Sequence, residues 1–392
     1  MHIALDAMGG DLAPQAAVAG AVQAAQEYGV SLLLVGDQEK IRHELRRNGQ
    51  RESSQLVIQH ASEVIEMGDS PVAALRRKRD SSLRVAFTHV KDGKAGAVVS
   101  AGNSGAVLGL AVTMLGCLPD VDRPAIVTSV PALTGRTCLV DAGANVECKP
   151  MHLVQFAIMG EVYARVVRGI QSPRVGVLSN GEEDSKGTET TRAAHTVLSR
   201  LPLNYIGYVE GRELNNGRVD VAVTDGFTGN IALKTMEGFY DFTQGQLRSL
   251  FSSSWRGKLA FLLLKRSFAD LRASIDYDEV GGAPLLGTDG VTIIAHGSSS
   301  PKAIKNAIRV AHESLQRGVN QRITESLQHM SGIEALTAGD GRGRRILAQI
   351  RRKFRPTKSA GAGDGTRAAP DKSGSINQLD NSDEAEPPEP AE

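Results

Sequence analysis

Aromatic residues make up only 4% of this 392-residue chain, with a single Trp. That scarcity argues against a platform of stacked rings for single-stranded nucleic acid. An excess of one charge is missing too: 45 Lys and Arg stand against 44 Asp and Glu, a net charge of +1 that draws no polyanion, so no nucleic-acid partner is expected. Cysteine is sparse. Cys117, Cys138 and Cys148 form no CxxC pair and no zinc spacing, and their odd number argues against a secreted disulfide framework. They read as reduced thiols of a cytoplasmic protein. The opening MHIALDAMGGD has no basic n-region, so it is not a signal peptide, and no stretch approaches the roughly 18 apolar residues of a membrane span.

Catalytic signatures are missing as well. The nine histidines show neither HxxxH nor HExxH, and Glu182-Glu183-Asp184 lacks the alternating spacing of a calcium loop, so no metal is expected. There is no GxGxxG, no GxxxxGK[ST] and no GxSxG, which weighs against dinucleotide binding, P-loop chemistry and a serine nucleophile. No cofactor is implied.

What is present is a soluble α/β composition: 41% apolar, 23% charged and 42 glycines. Short apolar or β-branched runs recur, each closed by Gly, Ser, Asn or Asp: HIALDAM, SLLLVGD, LVIQHA, AGAVVSAG, IVTSVPA, TCLVDAGAN, RVGVLSNG, NYIGYVEG, DVAVTDG and VTIIAHG. Helical periodicity fills Pro14 to Tyr28, Ser104 to Leu115, Met151 to Arg168, Thr188 to Leu201 and Pro301 to Gln316. Alternating β and α elements predict a mostly parallel sheet with helices on both faces, and ligands at the edge where its strands end.

Five polar loops are predicted at that edge. Asp6, Gly10 and Asp11 follow the first strand, in a turn that also suits helix capping. Ser100, Gly102, Asn103 and Ser104 follow AGAVVS, where glycines and a helix start suit an anion; an ordinary turn with Ser104 as N-cap is the plainer alternative. Lys186 follows RVGVL among acids, as a phosphate counter-charge or a solvated surface residue. Asp225, Gly226 and Asn230 follow DVAVT, where Asn230 would orient a carbonyl or serve the turn. His296, Gly297 and Ser298 follow VTIIA as a further phosphate site, with a structural histidine as the alternative.

Two other segments stand out. From Gln246 to Leu271, Leu247, Leu250, Phe251, Trp255, Leu259, Leu262, Leu263 and Phe268 interleave with Arg248, Arg256, Lys258, Lys265 and Arg266, predicting a basic amphipathic helix or a pair of them. Residues 1–340 are expected to form the folded domain. Residues 341–358 form a basic helix end, and the acidic stretch 359–392 has the composition of a disordered tail.

Taken together, DAMGGD, SAGNSGA, VDAGANVECKPMHLVQFAIMG, LSNGEEDSKGTE, YVEGREL, VDVAVTDGFTGNIALKTMEG, GGAPLLG and IIAHGSS resemble, in order and spacing, the PlsX family of phosphate acyltransferases, over residues 1 to about 335. Ser104 stands where that family's pattern has Thr, which keeps the hydroxyl. The resemblance implies a three-layer α/β/α fold akin to phosphotransacetylases and isocitrate-type dehydrogenases, a homodimer, and acyl-acyl carrier protein and inorganic phosphate as substrates. It implies phosphate held around Gly102, Asn103, Ser104, His296 and Ser298, Lys186 countering its charge and Asn230 holding the carbonyl oxygen. Peripheral contact of the amphipathic segment with anionic lipid, the carrier or a membrane glycerol-3-phosphate acyltransferase would follow. The rivals are a phosphotransacetylase using coenzyme A and a non-enzymatic carrier-docking scaffold.

Overall fold

A computed structural model describes residues 1–275 and 277–337; the basic run 342–358 and the acidic tail lie outside them. The chain opens with β1 (His2–Asp6), α1 (Gln15–Tyr28), β2 (Leu32–Gly36), α2 (Gln38–Arg47) and β3 (Leu56–His60). Two short helices, α3 (Pro71–Arg77) and α4 (Ser82–Lys91), lead to β4 (Ala95–Ser100) and α5 (Ser104–Leu110), which runs straight into one π turn, Ala111–Leu115. Next come β5 (Ala125–Pro131), β6 (Arg136–Val140), α6 (Pro150–Val166), β7 (Val175–Leu178), α7 (Glu189–Leu198), β8 (Tyr205–Val209) and β9 (Val221–Val223). The long α8 (Gly226–Ser252) and α9 (Trp255–Ile275) and the short α10 (Tyr277–Val280) precede β10 (Ala283–Leu286), β11 (Val291–Ile294), α11 (Pro301–Gln316) and α12 (Val319–Thr337).

Among the described residues, eleven strands form one sheet in the order β3-β2-β1-β4-β11-β10-β5-β6-β9-β7-β8. Side chains alternate across it, so Ile3 and Leu5 pack under α1 and α11 while Ala4 packs under α4 and α5. Covered on both faces, β2 and β11 are buried throughout, which is why they read as unbroken apolar runs. The α1–α11 contact is close because residue 20 is Gly: a side chain there would come within 2.6 Å of the Pro301 carbonyl oxygen. The other half of the sheet buries Val140, Val177 and Val223 against α6, and Leu139, Ala222 and Val209 on the face that meets the start of α8. Helices on both faces make this the expected three-layer α/β/α fold. The GGAPLLG phrase supplies the strand the periodicity did not mark, β10.

One expectation fails. The strands do not share a single C-terminal edge. β3, β2, β1, β4 and β11 are mutually parallel, as are β6, β9, β7 and β8, but β11–β10, β10–β5 and β5–β6 are all antiparallel. Three reversals leave the second set running opposite to the first. Buried antiparallel strands carry the same apolar runs as parallel ones, so composition does not distinguish them.

Candidate active site

The first loop cluster lies at the ends of the neighbouring strands β1, β4 and β11. Its loops interlock backbone against backbone. A side chain on Gly9 would meet Asp6 Oδ2 at 2.5 Å and the Gly102 nitrogen at 2.8 Å, and the Asp11 N–H donates to the Gly297 carbonyl at 2.8 Å. Beneath them Asp6, 3% exposed, accepts from the Ser100 hydroxyl at 2.8 Å, and the Ser100 oxygen accepts the Gly102 N–H at 3.0 Å. Burial pushes the Asp6 carboxyl above its usual range, against hydrogen bonds from Ser82 and Ser100. Asp6 and Ser100 therefore shape the Gly102 turn from below.

Asn103, not Ser104, is the N-cap of α5: its Oδ1 accepts the Ala106 N–H at 3.0 Å. Its amide nitrogen donates to the carbonyls of Met67 at 3.1 Å and Asp69 at 3.0 Å, drawing that loop over the cluster. The Asn103 side chain is thus used structurally. Its N-cap role leaves the Ser104 hydroxyl exposed at the first helical position. Exposed His296 and Ser298 are joined, Nδ1 to Oγ, at 2.8 Å. Gly10 has φ +102° and would bring a side chain within 2.9 Å of the Gly297 carbonyl oxygen, so the turn requires glycine.

The second cluster lies at the ends of β6, β9 and β7. Asp225 caps α8, accepting the Thr228 N–H at 2.8 Å and the Thr228 hydroxyl at 2.9 Å. The Gly226 N–H donates to the Asn145 carbonyl at 2.7 Å, and a side chain on Gly229 would lie 1.9 Å from the Asp141 carbonyl oxygen, so the first turn of α8 sits flush on the loop after β6. Asn230 is exposed on that turn and faces Gly143. The half-buried Lys186 packs against Gly181 in a loop braced by the Glu182–Arg218 ion pair at 2.8 Å.

The residue that organises this cluster was not singled out from the sequence. Asp141, 0% exposed, accepts the N–H groups of Ile126 at 2.9 Å, Gly143 at 3.1 Å and Ala144 at 3.0 Å on Oδ1. Its Oδ2 accepts the Asn145 N–H at 2.7 Å and the Asn145 side-chain amide at 2.9 Å. Desolvation raises its pKa, and these donors oppose the rise. The signal was the acid at the strand end in VDAGAN. Nearby Cys148 has its thiol pushed up to about 12, first by burial and then by the charges of Asp141 and Asp225, so it is a poor nucleophile.

The two clusters are far apart within one chain. At about 4.8 Å per strand, His296 and the β7 end are separated by five strand steps, about 24 Å, and because the two sets of strands run in opposite directions they lie at opposite edges of the sheet. The structure thus brings Asp6, Gly10, Ser100, Gly102, Asn103, Ser104, His296, Gly297 and Ser298 together, and separately Asp225, Gly226, Asn230 and Lys186.

The fatty acid synthesis protein family matches residues 1–322. The chain belongs to this family, that of the PlsX proteins. It is 52% identical over 328 residues to the phosphate acyltransferase of Geobacter sulfurreducens, covering 84% of this chain and 94% of that one. A phosphate acyltransferase of Geobacter sp. M21 is 53% identical over 327 residues, covering 83% and 93%. Among solved structures, a phosphotransacetylase from Streptococcus pyogenes superposes with a TM-score of 0.55 at 16% identity, covering 81% of this chain and 94% of that one, which places the PlsX chain in the same fold.

Proposed function

We propose that this chain moves a fatty acyl group from the thioester of an acyl carrier protein to inorganic phosphate, for phospholipid synthesis. A phosphate oxygen attacks the thioester carbonyl carbon, the C–S bond breaks, and the carrier thiolate leaves and takes up a proton. Phosphate brings its own nucleophile and a thiol with pKa about 8.5 leaves readily, so the protein has to bind, align and stabilise charge. The observation that carries the reading is identity above 50% to named phosphate acyltransferases across nearly their whole length.

Phosphate is assigned to the first cluster, through the Ser104 and Ser298 hydroxyls, His296 and the glycine-lined backbone. Lys186 supplies the counter-charge and Asn230 a donor for the carbonyl oxygen as it becomes an oxyanion. Asp6 and Asp141 set the turns beneath.

The chain is proposed to act in the cytoplasm as a homodimer and to touch the membrane. Among the described residues no helix is long and apolar enough to cross one. The α8–α9 hairpin, held by Phe251, Phe261 and Phe268 ring contacts, instead exposes Trp255 (70%), Leu262 (66%) and Leu263 (78%) beside Arg256, Lys258, Lys265 and Arg266. Apolar tips among cations suit anionic lipid, near a membrane glycerol-3-phosphate acyltransferase that would consume the product, or the acidic carrier.

The test is phosphate-dependent thiol release from long-chain acyl-acyl carrier protein, against the matching acyl-coenzyme A, with hydroxylamine trapping acyl-phosphate as hydroxamate. Release from the carrier substrate with trapped hydroxamate is expected. Activity with coenzyme A alone would assign the chain a phosphotransacetylase reaction, and no release from either would leave a carrier-docking scaffold.

A further inference from the structure

We infer that Arg192, near the start of α7, is a positioning residue for Lys186, in a loop built to keep that lysine's ammonium available to an anion. The inference rests on the reading above, in which Lys186 supplies the counter-charge to phosphate. Arg192 ties the loop between β7 and α7 on both sides of the lysine. Its Nη1 donates to the Gly187 carbonyl at 2.6 Å and lies 3.5 Å from the Ser185 carbonyl. The Gly187 N–H donates to Asn180 Oδ1 at 2.9 Å, and the Lys186 N–H donates to the Glu183 carbonyl at 2.9 Å, closing a turn that ends at the lysine. Gly187 has φ +81°, and a side chain there would strike the Thr191 hydroxyl, so the loop meets α7 with its backbone and offers carbonyls to Arg192.

The charges of this loop are arranged to the same end. A lysine beside Glu182, Glu183 and Asp184 is ordinarily neutralised by one of them. Here Glu182 is paired with Arg218 at 2.8 Å, and Arg218 is anchored in turn by the buried Glu213. Asp184 faces His195, Oδ1 to Nε2 at 3.8 Å, while the other ring nitrogen of His195 is joined to the Tyr205 hydroxyl at 2.8 Å. Two of the three acids are therefore turned toward other partners.

Arg192 directs its own hydrogen bonds to neutral carbonyls, so it orders the loop without bringing a carboxylate to the lysine. The Lys186 stem packs on Gly181, where a side chain would come within 2.8 Å of its Cγ, which fixes the direction of the side chain. Loss of Arg192 frees the carbonyls on either side of Lys186 and lets the ammonium swing toward Glu183. The substrate that feels this is phosphate, not the carrier.

Steady-state thiol release by the full-length protein tests this, with phosphate and acyl carrier varied separately. Arg192→Ala should raise the KM for phosphate about tenfold, the scale of one charged hydrogen bond, and leave the KM for the carrier within about twofold. Because Arg192 is exposed, its Tm should stay within about 3 °C of the parent. Arg192→Lys keeps a cationic donor for the Gly187 carbonyl and should recover the phosphate KM to within about threefold of the parent. In a Lys186→Ala background, read as hydroxamate accumulated at high enzyme concentration, Arg192→Ala should add no further loss, since there is no ammonium left to place. An unchanged phosphate KM in Arg192→Ala, equal changes for both substrates, or a loss that multiplies with that of Lys186→Ala would overturn the inference, the last by making Arg192 an independent phosphate ligand. Failure of the underlying reading would show separately, as Lys186→Ala protein with parental turnover or wild-type protein that releases no carrier thiol.

Discussion

Replacing Asp141 with Asn changes one oxygen to NH2 and little else in volume. The buried carboxylate accepts three backbone N–H groups on Oδ1 and two donors from Asn145 on Oδ2. An amide leaves one position acting as a donor, and the less costly orientation turns it toward Asn145. Two hydrogen bonds are then lost and two buried donors face a third. At about 1–3 kcal/mol for each donor left unsatisfied, the loss is about 4 kcal/mol, a large part of a folding free energy of about 5–15 kcal/mol. At about 2–4 °C per kcal/mol for a domain this large, calorimetry should show Tm lowered by about 10 °C. Asn145→Ala removes the side-chain bonds to Asp141 at 2.9 Å and to the Pro124 carbonyl at 2.7 Å but keeps the backbone set, and should cost about half as much. Because the Gly143 turn abuts Asn230, Asp141→Asn should also lower kcat more than it raises KM. A Tm within about 2 °C of the parent would refute the reasoning.

Gly229→Ala drives a methyl into the Asp141 carbonyl at 1.9 Å, so the first turn of α8 has to shift; overpacking costs of about 1–3 kcal/mol, read by urea unfolding, should accompany a loss of turnover. Asp6 carries a raised folded pKa. Its native carboxyl keeps a proton above the unfolded value of about 3.9, so its contribution falls as pH rises through that window. The stability of the parent relative to Asp6→Asn should therefore be greater at about pH 4.5 than at about pH 7.5, and a difference that grows with pH would contradict the desolvation argument. Leu262→Ser/Leu263→Ser on α9 should weaken sedimentation with anionic liposomes about tenfold or more, at about 1.5–3 kcal/mol per buried side chain, while leaving acyl transfer in solution unchanged. Binding that persists at parent strength would place lipid contact elsewhere on the chain.

Much of this protein is written locally in its sequence. The strand runs HIALDAM through VTIIAHG, the helix over Pro301–Gln316 and the basic amphipathic stretch all emerge as elements, because apolar periodicity and Gly or Asn punctuation are short-range signals. The polar loops at strand ends were legible too, since a βα turn must carry small and capping residues. Their roles were less so. Asn103 and Ser104 are adjacent, and only the approach of the Met67–Asp69 loop decides which one caps α5. Asp141 passed as one acid in a glycine-rich phrase because its five donors come from its own turn, the Asn145 side chain and β5, a geometry that exists only once the chain is folded.

Direction is what the sequence by itself left open. A buried strand presents the same apolar run whichever way it points, so ten strands were visible while the reversal at β10, β5 and β6 was not. Sequence determined the family, the three-layer fold and the residue types at each loop. Tertiary structure decided which loops share an edge: hydrogen-bond pairing between segments distant in the chain sets strand direction, and strand direction sorts the polar loops into two clusters.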